Sequence, residues 1–285
     1  MPGLPVTLAQ KLQQHRIADG VRNRILILDV ERLPGITHQM WWDRGDLQKR
    51  YIGYDKVIRE PRTTIVCAKF YFDQDVIRLT EWDEGGRPEF LRNVHRLLSR
   101  AELVIAHNGT KADIPWLLGD FRFPRIGCDE PFEALPDLPP FKVIDTLTHL
   151  RSRYKSGLPF KGLDAVLQIL GHPGKTDRYD PEAMERAVAG SEEDRERLVE
   201  YCVGDVIGGQ WLYDRERPMM KNHPALFVDG KDKMTVCNRC GNNTEPTERR
   251  YAANVLTYSM RRCQSCLGYS RLSIEPQRMS IVRGV

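Results

Sequence analysis

The stretch Ile25-Leu26-Ile27-Leu28-Asp29-Val30-Glu31 decides the fold of this chain. Its uncharged aliphatic run is short and rich in isoleucine, which is typical of a buried strand. The run ends with two carboxylates, Asp29 and Glu31, and side-chain alternation along a strand sends both to one face, about 7 Å apart. Two acids at the end of a core strand repel each other unless a cation lies between them. The stretch therefore indicates either a metal site or the start of a solvated loop.

The patterns that follow this strand predict a mixed sheet flanked by helices. Stretches rich in β-branched and aromatic residues predict strands at residues 63–72, 76–82, 103–106 and 141–144, the first two joined as a hairpin. Apolar residues with helical spacing predict helices at 88–99, from 113 onward, at 161–170 and at 191–217. This order predicts an α/β domain over residues 24–217, preceded by an N-terminal extension of residues 1–23.

The composition is that of an ordinary globular protein, with 41% hydrophobic and 29% charged residues. The chain has no apolar run as long as a membrane span and no signal-peptide core, so we expect a cytoplasmic protein without a membrane partner. The net charge of +4 is unevenly distributed: from Pro218 onward 11 Lys and Arg residues stand against 5 Asp and Glu, a net of +6. This basic tail indicates contact with a polyanion, or only a solvated basic surface.

Further acids occur in two later motifs. Asp113 opens a helix after the turn His107-Asn108-Gly109, which follows the strand at residues 103–106. In the longest helix, Tyr201 and Asp205 are four residues apart, so both project from one face. Asp205 borders the apolar stripe of that helix, where an acid needs a partner, either a cation or a neighbouring arginine.

These motifs, D-x-E at 29–31, H-N-G-x-x-x-D at 107–113 and Y-x-x-x-D at 201–205, occur in a recognisable order. They resemble the three motifs of the DEDD superfamily of 3′–5′ exonucleases, in its tyrosine-bearing branch. The resemblance covers residues 24–217 and implies a ribonuclease H-like fold. Ala112 departs from the family pattern, which usually has Phe or Tyr before the third acid, and this removes a packing contact but no ligand. Asp145 is not one of the motif acids, and we expect it to cap a helix.

The resemblance implies a role for each matching residue. Asp29, Glu31, Asp113 and Asp205 would hold two Mg²⁺ or Mn²⁺ ions, which suit four carboxylates. Asp29 matches the acid that bridges both ions, Asp113 would support the second ion, and Glu31 and Asp205 would hold the first. Tyr201 matches the residue that orients the attacking water. With the ordinary tyrosine pKa of ~10, it is more credible as a hydrogen-bonding group than as a free base.

Four of the seven cysteines form two C-x-x-C pairs with 22 residues between them. They are Cys237, Cys240, Cys263 and Cys266. Thiolates from two tight turns close a tetrahedron, so this spacing predicts one structural Zn²⁺. Two disulfides are the alternative, which a reducing cytoplasm disfavours. Gly241 and Gly268 are expected to occupy turns with positive φ.

Candidate contacts to nucleic acid lie in several places. Trp41 and Trp42 belong to the long connection 36–60, where aromatic residues among basic ones either stack on bases or cover a core edge. Asn108 in the second motif is a further candidate. Between the cysteine pairs, residues 249–262 combine strand character with a basic, aromatic surface, typical of a zinc ribbon that binds nucleic acid or protein. The candidates there are Arg249, Arg250, Arg261 and Arg262.

The whole chain resembles a group of bacteriophage ribonuclease H-like exonucleases with a C-terminal zinc ribbon, here residues 218–285. Residues 163–171 and 222–226 also match that group. The resemblance implies a nuclease of phage DNA metabolism, working in the host cytoplasm with replication proteins as possible partners.

We therefore expect a two-metal 3′–5′ exonuclease that acts on single-stranded or frayed DNA ends. The same chemistry permits an exoribonuclease, and the same scaffold permits a structure-selective endonuclease. The alternative from another class is a non-catalytic nucleic-acid-binding adaptor, against which the presence of all four acids and Tyr201 argues.

Overall fold

The computed structural model describes residues 25–38, 52–154, 162–173, 179–220, 223–224, 234–253, 256–272 and 277–278. The N-terminal extension predicted at residues 1–23 and the candidates Trp41 and Trp42 lie outside the described residues. The chain divides into two compact units between Trp211 and Leu212, and the domain boundary placed after residue 217 stays a prediction. No helix in the described segments is long and apolar enough to span a bilayer.

A five-stranded mixed sheet forms the centre of the first unit. The strands of this unit are β1 (Ile25–Leu33), β2 (Ile36–Thr37), β3 (Val57–Arg59), β4 (Arg62–Phe70), β5 (Ile77–Thr80), β6 (Leu103–Ala106) and β7 (Lys142–Asp145). The sheet order is β5-β4-β1-β6-β7, with β4 antiparallel to β1 and β5, and β1, β6 and β7 mutually parallel. β2 and β3 form a separate antiparallel pair inside the long connection. The α/β fold class, a mixed sheet flanked by helices, is confirmed.

Helices flank this sheet. They are α1 (Gly86–Leu98), α2 (Asp113–Arg122), α3 (Thr146–Arg153), α4 (Leu163–Ile169), α5 (Pro181–Val188) and α6 (Glu192–Glu216), with short 3₁₀ turns at Tyr54–Lys56 and Arg217–Met219. The sequence did not predict α5, which has only 8 residues. Asp180 caps α5 by accepting a hydrogen bond from the Glu182 N–H, and Pro181 occupies the first turn, where a missing N–H costs nothing.

The two faces of β1 contact different parts of the unit. The even-numbered side chains from Leu26 to Val30 are buried in the main hydrophobic core, together with residues of α1 and α2. The odd-numbered side chains, which include Asp29 and Glu31, project to the opposite face. α6 packs there, since a Cβ added to Gly209 would lie 3.8 Å from the Cγ2 atom of Ile27. The acids of β1 therefore face the helix that carries Tyr201 and Asp205.

The second unit is built around a small antiparallel sheet. Its strands are β8 (Thr244–Ala253), β9 (Leu256–Cys263), β10 (Tyr269–Arg271) and β11 (Gln277–Arg278). β9 pairs with each of the other three strands. The first cysteine pair precedes β8, and the second lies at the end of β9 and in the turn to β10. The four side chains cluster in a way compatible with the predicted zinc ribbon.

Candidate active site and metal centres

Asp29 and Glu31 lie on β1 just beyond the end of its parallel neighbour β6. β1 pairs with β6 only as far as Ile27 and Ile105, but it remains paired with β4 to Leu33. The strand thus continues two residues past Glu31, and the expectation that it ends with the acids is wrong. The carboxyl ends of parallel strands open a crevice, which is where α/β sheets usually bind ligands.

The turn after β6 depends on a residue with positive φ, on a glycine in close contact with Ala106, and on one carboxylate. Asn108 has a φ of +69°, a conformation that asparagine tolerates better than most residues. A Cβ added to Gly109 would lie 2.5 Å from the Cβ atom of Ala106, so glycine is required there. The Asp145 carboxylate accepts hydrogen bonds from the backbone N–H groups of Asn108 at 3.1 Å and Thr110 at 3.2 Å, and from the Thr110 hydroxyl. Asp145 therefore clamps the turn.

Asp145 also caps α3, as predicted, by accepting a hydrogen bond from the Thr148 N–H at 3.0 Å. Burial opposes ionisation of this side chain. The hydrogen bonds from Thr110, Thr148 and Asn108 outweigh that cost and lower the pKa of Asp145. The sequence indicates the cap of α3, because it involves neighbouring residues. It does not indicate the clamp, because Asp145 and the turn at Asn108 are distant along the chain.

Asp113 begins α2, as predicted, and its side chain is buried in the crevice beside the turn. A Cβ added to Gly109 would lie 3.6 Å from the Oδ2 atom of Asp113, so the turn packs directly against this carboxyl group. Burial, and then the negative charges of Asp145 and Asp205, raise the pKa of Asp113 to about 7. The raised pKa means that the ionised form of this carboxyl group is disfavoured. A bound cation would stabilise that form.

The helix α6 brings a thiol to the acids of β1. The Cys202 thiol is buried and donates a hydrogen bond to the Oδ2 atom of Asp29 at 3.5 Å. Burial, and then contact with Cys67 and the charge of Asp29, raise the pKa of Cys202, so the group stays protonated. The sequence did not indicate this role, although Cys202 lies inside the third motif.

Tyr201 and Asp205 occupy successive turns of α6, as their spacing predicts. Asp205 is buried, whereas Tyr201 is half-buried. A Cβ added to Gly204, the residue before Asp205, would meet no atom within 4 Å. The space beside this glycine is open, which suits the approach of a substrate rather than of another backbone segment.

The structure places the four motif acids in two groups. Ligand atoms of Asp29, Glu31 and Cys202 all lie within 4.8 Å of one another, and Asp113 and Asp205 do not belong to that group. The charge of Asp205 nevertheless acts on Asp113. α6 joins the groups, because Cys202 contacts Asp29 and Asp205 follows three residues later on the same side of the helix.

Tyr179 also reaches this region, and the sequence did not point to it. It lies just before α5, the helix that the sequence did not predict. Its hydroxyl donates a hydrogen bond to the backbone carbonyl of Arg32. Burial and the charge of Glu31 raise the pKa of Tyr179 to about 12, so it is a neutral hydroxyl beside the acids.

The four cysteines of the C-x-x-C pairs form a second candidate metal centre, with all four Sγ atoms within 4.8 Å of one another. The Sγ atoms of Cys237 and Cys266 are 3.7 Å apart, and those of Cys240 and Cys263 are 3.5 Å apart. Four Zn–S bonds of ~2.3 Å in a tetrahedron separate sulfur atoms by ~3.8 Å, so the spacing fits zinc. The thiols are free rather than disulfide-bonded.

Backbone groups of the two knuckles are directed at the sulfur atoms. The N–H groups of Arg239 and Cys266 donate hydrogen bonds to Cys237 and Cys263, each at 3.4 Å. The hydrogen bond between Cys237 and Cys240 lowers the pKa of Cys240 and raises that of Cys237, so without a metal this pair shares one proton, and hydrogen bonds from Asn242 further favour the Cys240 thiolate. Groups that favour a thiolate also favour metal binding, because the thiolate is the metal ligand.

One turn of the knuckles differs from the sequence prediction. Gly241 has a φ of +71°, as predicted, but in the second knuckle the residue with positive φ is Leu267, at +58°, and not Gly268. Gly268 is favoured for a different reason. A Cβ there would lie 2.7 Å from the guanidinium of Arg239 and 3.3 Å from the Sγ atom of Cys266. Close packing around the sulfur cluster, rather than backbone conformation, disfavours a side chain at this position.

The four candidate arginines of the ribbon fall on two faces of its sheet. Arg261 donates hydrogen bonds to the hydroxyl of Thr244, at 2.8 Å, and to its carbonyl, so it joins β9 to β8. Arg250 donates to the hydroxyl of Ser259 across the same strands, at 3.2 Å. Side chains alternate along a strand, so their sequence neighbours project from the opposite face. These neighbours are Arg249 and Arg262.

Comparisons with known proteins find similarity among solved structures. No protein-family model matches the chain, and no curated protein is significantly similar to it. Among solved structures, the chain is similar to a family B DNA polymerase from the hyperthermophilic archaeon Pyrobaculum calidifontis, with a TM-score of 0.41 and 16% identity. The match covers 68% of this chain and 24% of the polymerase chain, so this chain matches about a quarter of that protein. A likeness this weak carries no conclusion about activity.

Proposed function

We propose that this chain is a divalent-metal-dependent 3′–5′ exonuclease that hydrolyses phosphodiester bonds at single-stranded or frayed DNA ends. The observation that carries the proposal is the burial of the carboxyl groups of Asp113 and Asp205, on two separate helices, beside the acids of β1. Asp29 and Glu31 form an adjoining acid group on β1. Acids from three elements, gathered where parallel strands end, support a site for a phosphate and its cations.

The side chains in this crevice fit hard divalent cations. Carboxylate oxygens suit Mg²⁺ and Mn²⁺, whereas a thiol that stays protonated, as Cys202 does, is no competing ligand. We assign the cations to Asp29, Glu31, Asp113 and Asp205. When bound, two such ions supply charge neutralisation at the scissile phosphate and lower the pKa of a water molecule.

Other residues of the chain hold the reacting groups in position. We assign to Tyr201 the orientation of the attacking water through its hydroxyl group. The Cys202 thiol fixes one oxygen of the Asp29 carboxylate by hydrogen bonding. Asp145 clamps the turn that precedes Asp113, so that α2 begins with its carboxyl group facing the crevice.

The cysteine cluster is proposed to hold one structural Zn²⁺ that maintains the ribbon. The ligands would be Cys237, Cys240, Cys263 and Cys266. All four positions of the tetrahedron are filled by the chain, which is typical of a structural rather than a catalytic zinc site. Elemental analysis of reduced protein that has not met a chelator should find about one zinc per chain. Cys263→Ser should lose the metal, while Cys128→Ser, outside the cluster, should keep it.

Digestion of 5′-labelled oligonucleotides tests the nuclease proposal. Single-stranded DNA incubated with the protein and Mg²⁺ or Mn²⁺ should give a ladder that shortens from the 3′ end. Asp29→Asn and Asp205→Asn should each reduce the rate by a factor of about 10³ or more, because each removes a charged ligand. Asp75→Asn changes an exposed acid in the turn between β4 and β5 and should leave the rate unchanged.

Other outcomes of the same digestion contradict the proposal in defined ways. Faster digestion of RNA would make the chain an exoribonuclease, and internal cuts in branched or gapped DNA would make it an endonuclease. Absence of cleavage with either metal, in protein that binds DNA, would favour the non-catalytic adaptor. Full activity of Asp205→Asn would remove the site assignment.

A further inference from the structure

One face of the ribbon sheet combines arginine guanidinium groups with tyrosine rings. In the register of the sheet, Tyr251 on β8 pairs with Tyr258 on β9, and Tyr269 on β10 pairs with Arg262 on β9. Tyr258 and Arg262 are four residues apart on β9, so they and their partners share a face. We call it the Arg–Tyr face. It consists of Arg249, Tyr251, Tyr258, Arg262, Tyr269 and Arg271.

Two arginines converge on one ring at the β10 side of this face. The guanidinium carbons of Arg249 and Arg262 lie 5.5 and 5.7 Å from the ring centroid of Tyr269. Both arginine side chains are exposed, whereas the ring is only half-buried between them. The guanidinium groups are thus held by a ring and remain open to solvent.

A third arginine spans the two other rings. The guanidinium carbon of Arg271 lies 4.7 Å from the ring centroid of Tyr258 and 5.2 Å from that of Tyr251. The two ring centroids are 6.3 Å apart, within the range of aromatic pairs. Tyr251 is 46% exposed, which is high for a tyrosine that packs against its cross-strand neighbour. Rings and guanidinium groups therefore alternate across the face.

The charge of this face is uncompensated within the described segments. There, none of its three arginines forms an ion pair with a carboxylate. Glu245 pairs with Arg262 in the register of the sheet, but its carboxylate accepts a hydrogen bond from the side chain of Gln264. The opposite face differs, because Arg250 and Arg261 donate hydrogen bonds to Ser259 and Thr244 within the sheet.

We propose that the Arg–Tyr face binds single-stranded DNA. Bases would stack on the surface formed by the tyrosine rings and the guanidinium planes beside them, and phosphates would pair with the N–H groups of the same arginines. A duplex keeps its bases stacked on each other and unavailable to the rings, so a single strand is the matching partner. The choice of DNA as the polymer rests on the proposed function.

Binding rather than cleavage tests this proposal. The affinity of full-length, zinc-containing protein for a 5′-fluorescein-labelled oligothymidylate is measured by fluorescence anisotropy without Mg²⁺ or Mn²⁺, over a range of salt concentrations. Arg249→Ala should weaken binding about five-fold or more, and should lower the salt slope by about 0.7, as expected for one lost phosphate contact on a single strand. Arg250→Ala is the matched control. It removes the same charge from the next residue, on the other face, and should change the affinity less than two-fold.

The stacking part of the proposal has its own pair of variants. Tyr258→Leu should weaken binding about five-fold or more while leaving the salt slope unchanged, because it removes a ring and no charge. Tyr258→Phe keeps the ring and should retain the affinity. Zinc content and circular dichroism verify that each variant is folded.

Each contrary outcome overturns the proposal. Equal effects of Arg249→Ala and Arg250→Ala would show that the face is not the contact. Tighter binding to duplex DNA, to RNA of the same sequence, or no binding to single-stranded DNA at low salt would contradict the assigned partner. Face-dependent binding without any cleavage would leave this proposal standing and remove only the nuclease function.

Discussion

Asp113 and Asp145 repel each other across the turn that follows β6, yet their pKa values move in opposite directions. Burial and the charges of Asp145 and Asp205 raise the pKa of Asp113 to about 7. Hydrogen bonds from Thr110, Thr148 and Asn108 outweigh the burial of Asp145 and lower its pKa. Hydrogen bonds thus outweigh the burial of Asp145, whereas one backbone hydrogen bond does not offset the burial of Asp113.

The first prediction uses this difference. Asp113→Asn should raise the free energy of unfolding at pH 8 without divalent cations by about 1–2 kcal/mol, because it removes a buried like charge. A carboxyl group with a raised pKa in the folded state does not lower the free energy of unfolding at a pH below its unfolded-state pKa. Above that pH the free energy of unfolding falls, until the pH reaches the folded-state pKa of about 7. The gain should therefore be absent near pH 4 and complete above pH 7, as measured by urea denaturation.

Asp145→Asn is the matched control for Asp113→Asn. It should lower the free energy of unfolding by about 1–3 kcal/mol, because charge-assisted hydrogen bonds to the turn and to α3 are weakened. Added Mg²⁺ or Mn²⁺ should raise the melting temperature of the unmodified protein more than that of Asp113→Asn. A stabilised Asp145→Asn protein would contradict the clamp.

The second prediction separates positioning from metal binding. Tyr201→Phe should lower the rate of cleavage about 10- to 100-fold without changing the Mg²⁺ concentration that gives half-maximal rate, because the hydroxyl orients water and does not bind the cation. Steady-state kinetics over a Mg²⁺ series measure both quantities. Tyr54→Phe, at an exposed position, should change neither. A large rise in the half-saturating Mg²⁺ concentration would instead make Tyr201 part of the metal site.

The third prediction concerns the Cys202 thiol, which donates a hydrogen bond to Asp29. Cys202→Ala removes a hydrogen bond that orients a proposed ligand, so the Mg²⁺ concentration for half-maximal rate should rise about ten-fold or more. Cys202→Ser keeps a donor and should show a smaller change. Cys67→Ala removes the same atoms from the neighbouring buried cysteine and controls for the cavity. Equal effects of Cys67→Ala and Cys202→Ala would assign the loss to packing alone.

The fourth prediction is a pH dependence in the second unit. The hydroxyl of Tyr213 donates to the Nε2 atom of His223 at 2.7 Å, while the Nδ1–H group donates to the Pro224 carbonyl at 2.8 Å. Burial, and then the charges of Arg217 and Arg239, lower the pKa of His223 to about 4. The unfolded chain takes up this proton below pH ~6.5 and the folded chain does not, so stability falls as the pH drops from 6.5 to 4.

At pH 4 this histidine should account for up to about 3 kcal/mol of lost stability. Urea denaturation of the protein and of His223→Gln, followed from pH 7 to pH 4, measures the difference. The variant should lack this loss, and zinc content must be followed in parallel, because acid also protonates cysteine ligands. Parallel stability curves for both proteins would contradict the prediction.

Local sequence patterns predict much of this fold. The aliphatic run of β1, the hairpin of β4 and β5, the start of α2 at Asp113 and the long helix α6 depend on side-chain periodicity and end signals, which act over a few residues. The 8-residue helix α5 was missed, although Asp180 followed by Pro181 is a local signal of a helix start. β1 runs on to Leu33 because pairing with β4 continues, which no pattern within β1 reveals.

The candidate site divides in the same way. The types and spacing of the acids and cysteines follow from the chain, since carboxylates and thiolates have fixed ligand chemistry. Three contacts do not follow from the chain, because each joins segments that are distant in sequence. They are the clamp of the turn by Asp145, the hydrogen bond from the Cys202 thiol to Asp29, and the approach of Tyr179 to Glu31. Gly268 illustrates the difference, since packing against Arg239 and Cys266, and not its own φ, favours a glycine.

The sequence by itself determined most of the elements of the α/β unit, which side of β1 carries the acids, and which residues have the chemistry to hold cations. Only the tertiary structure decided which acid is stabilised in its charged form by hydrogen bonds, which acid has a raised pKa because it is buried, and which ribbon arginines are held against tyrosine rings. The reason is physical: periodicity and ligand type are properties of neighbouring residues, whereas burial and electrostatic interaction depend on what the folded chain brings close.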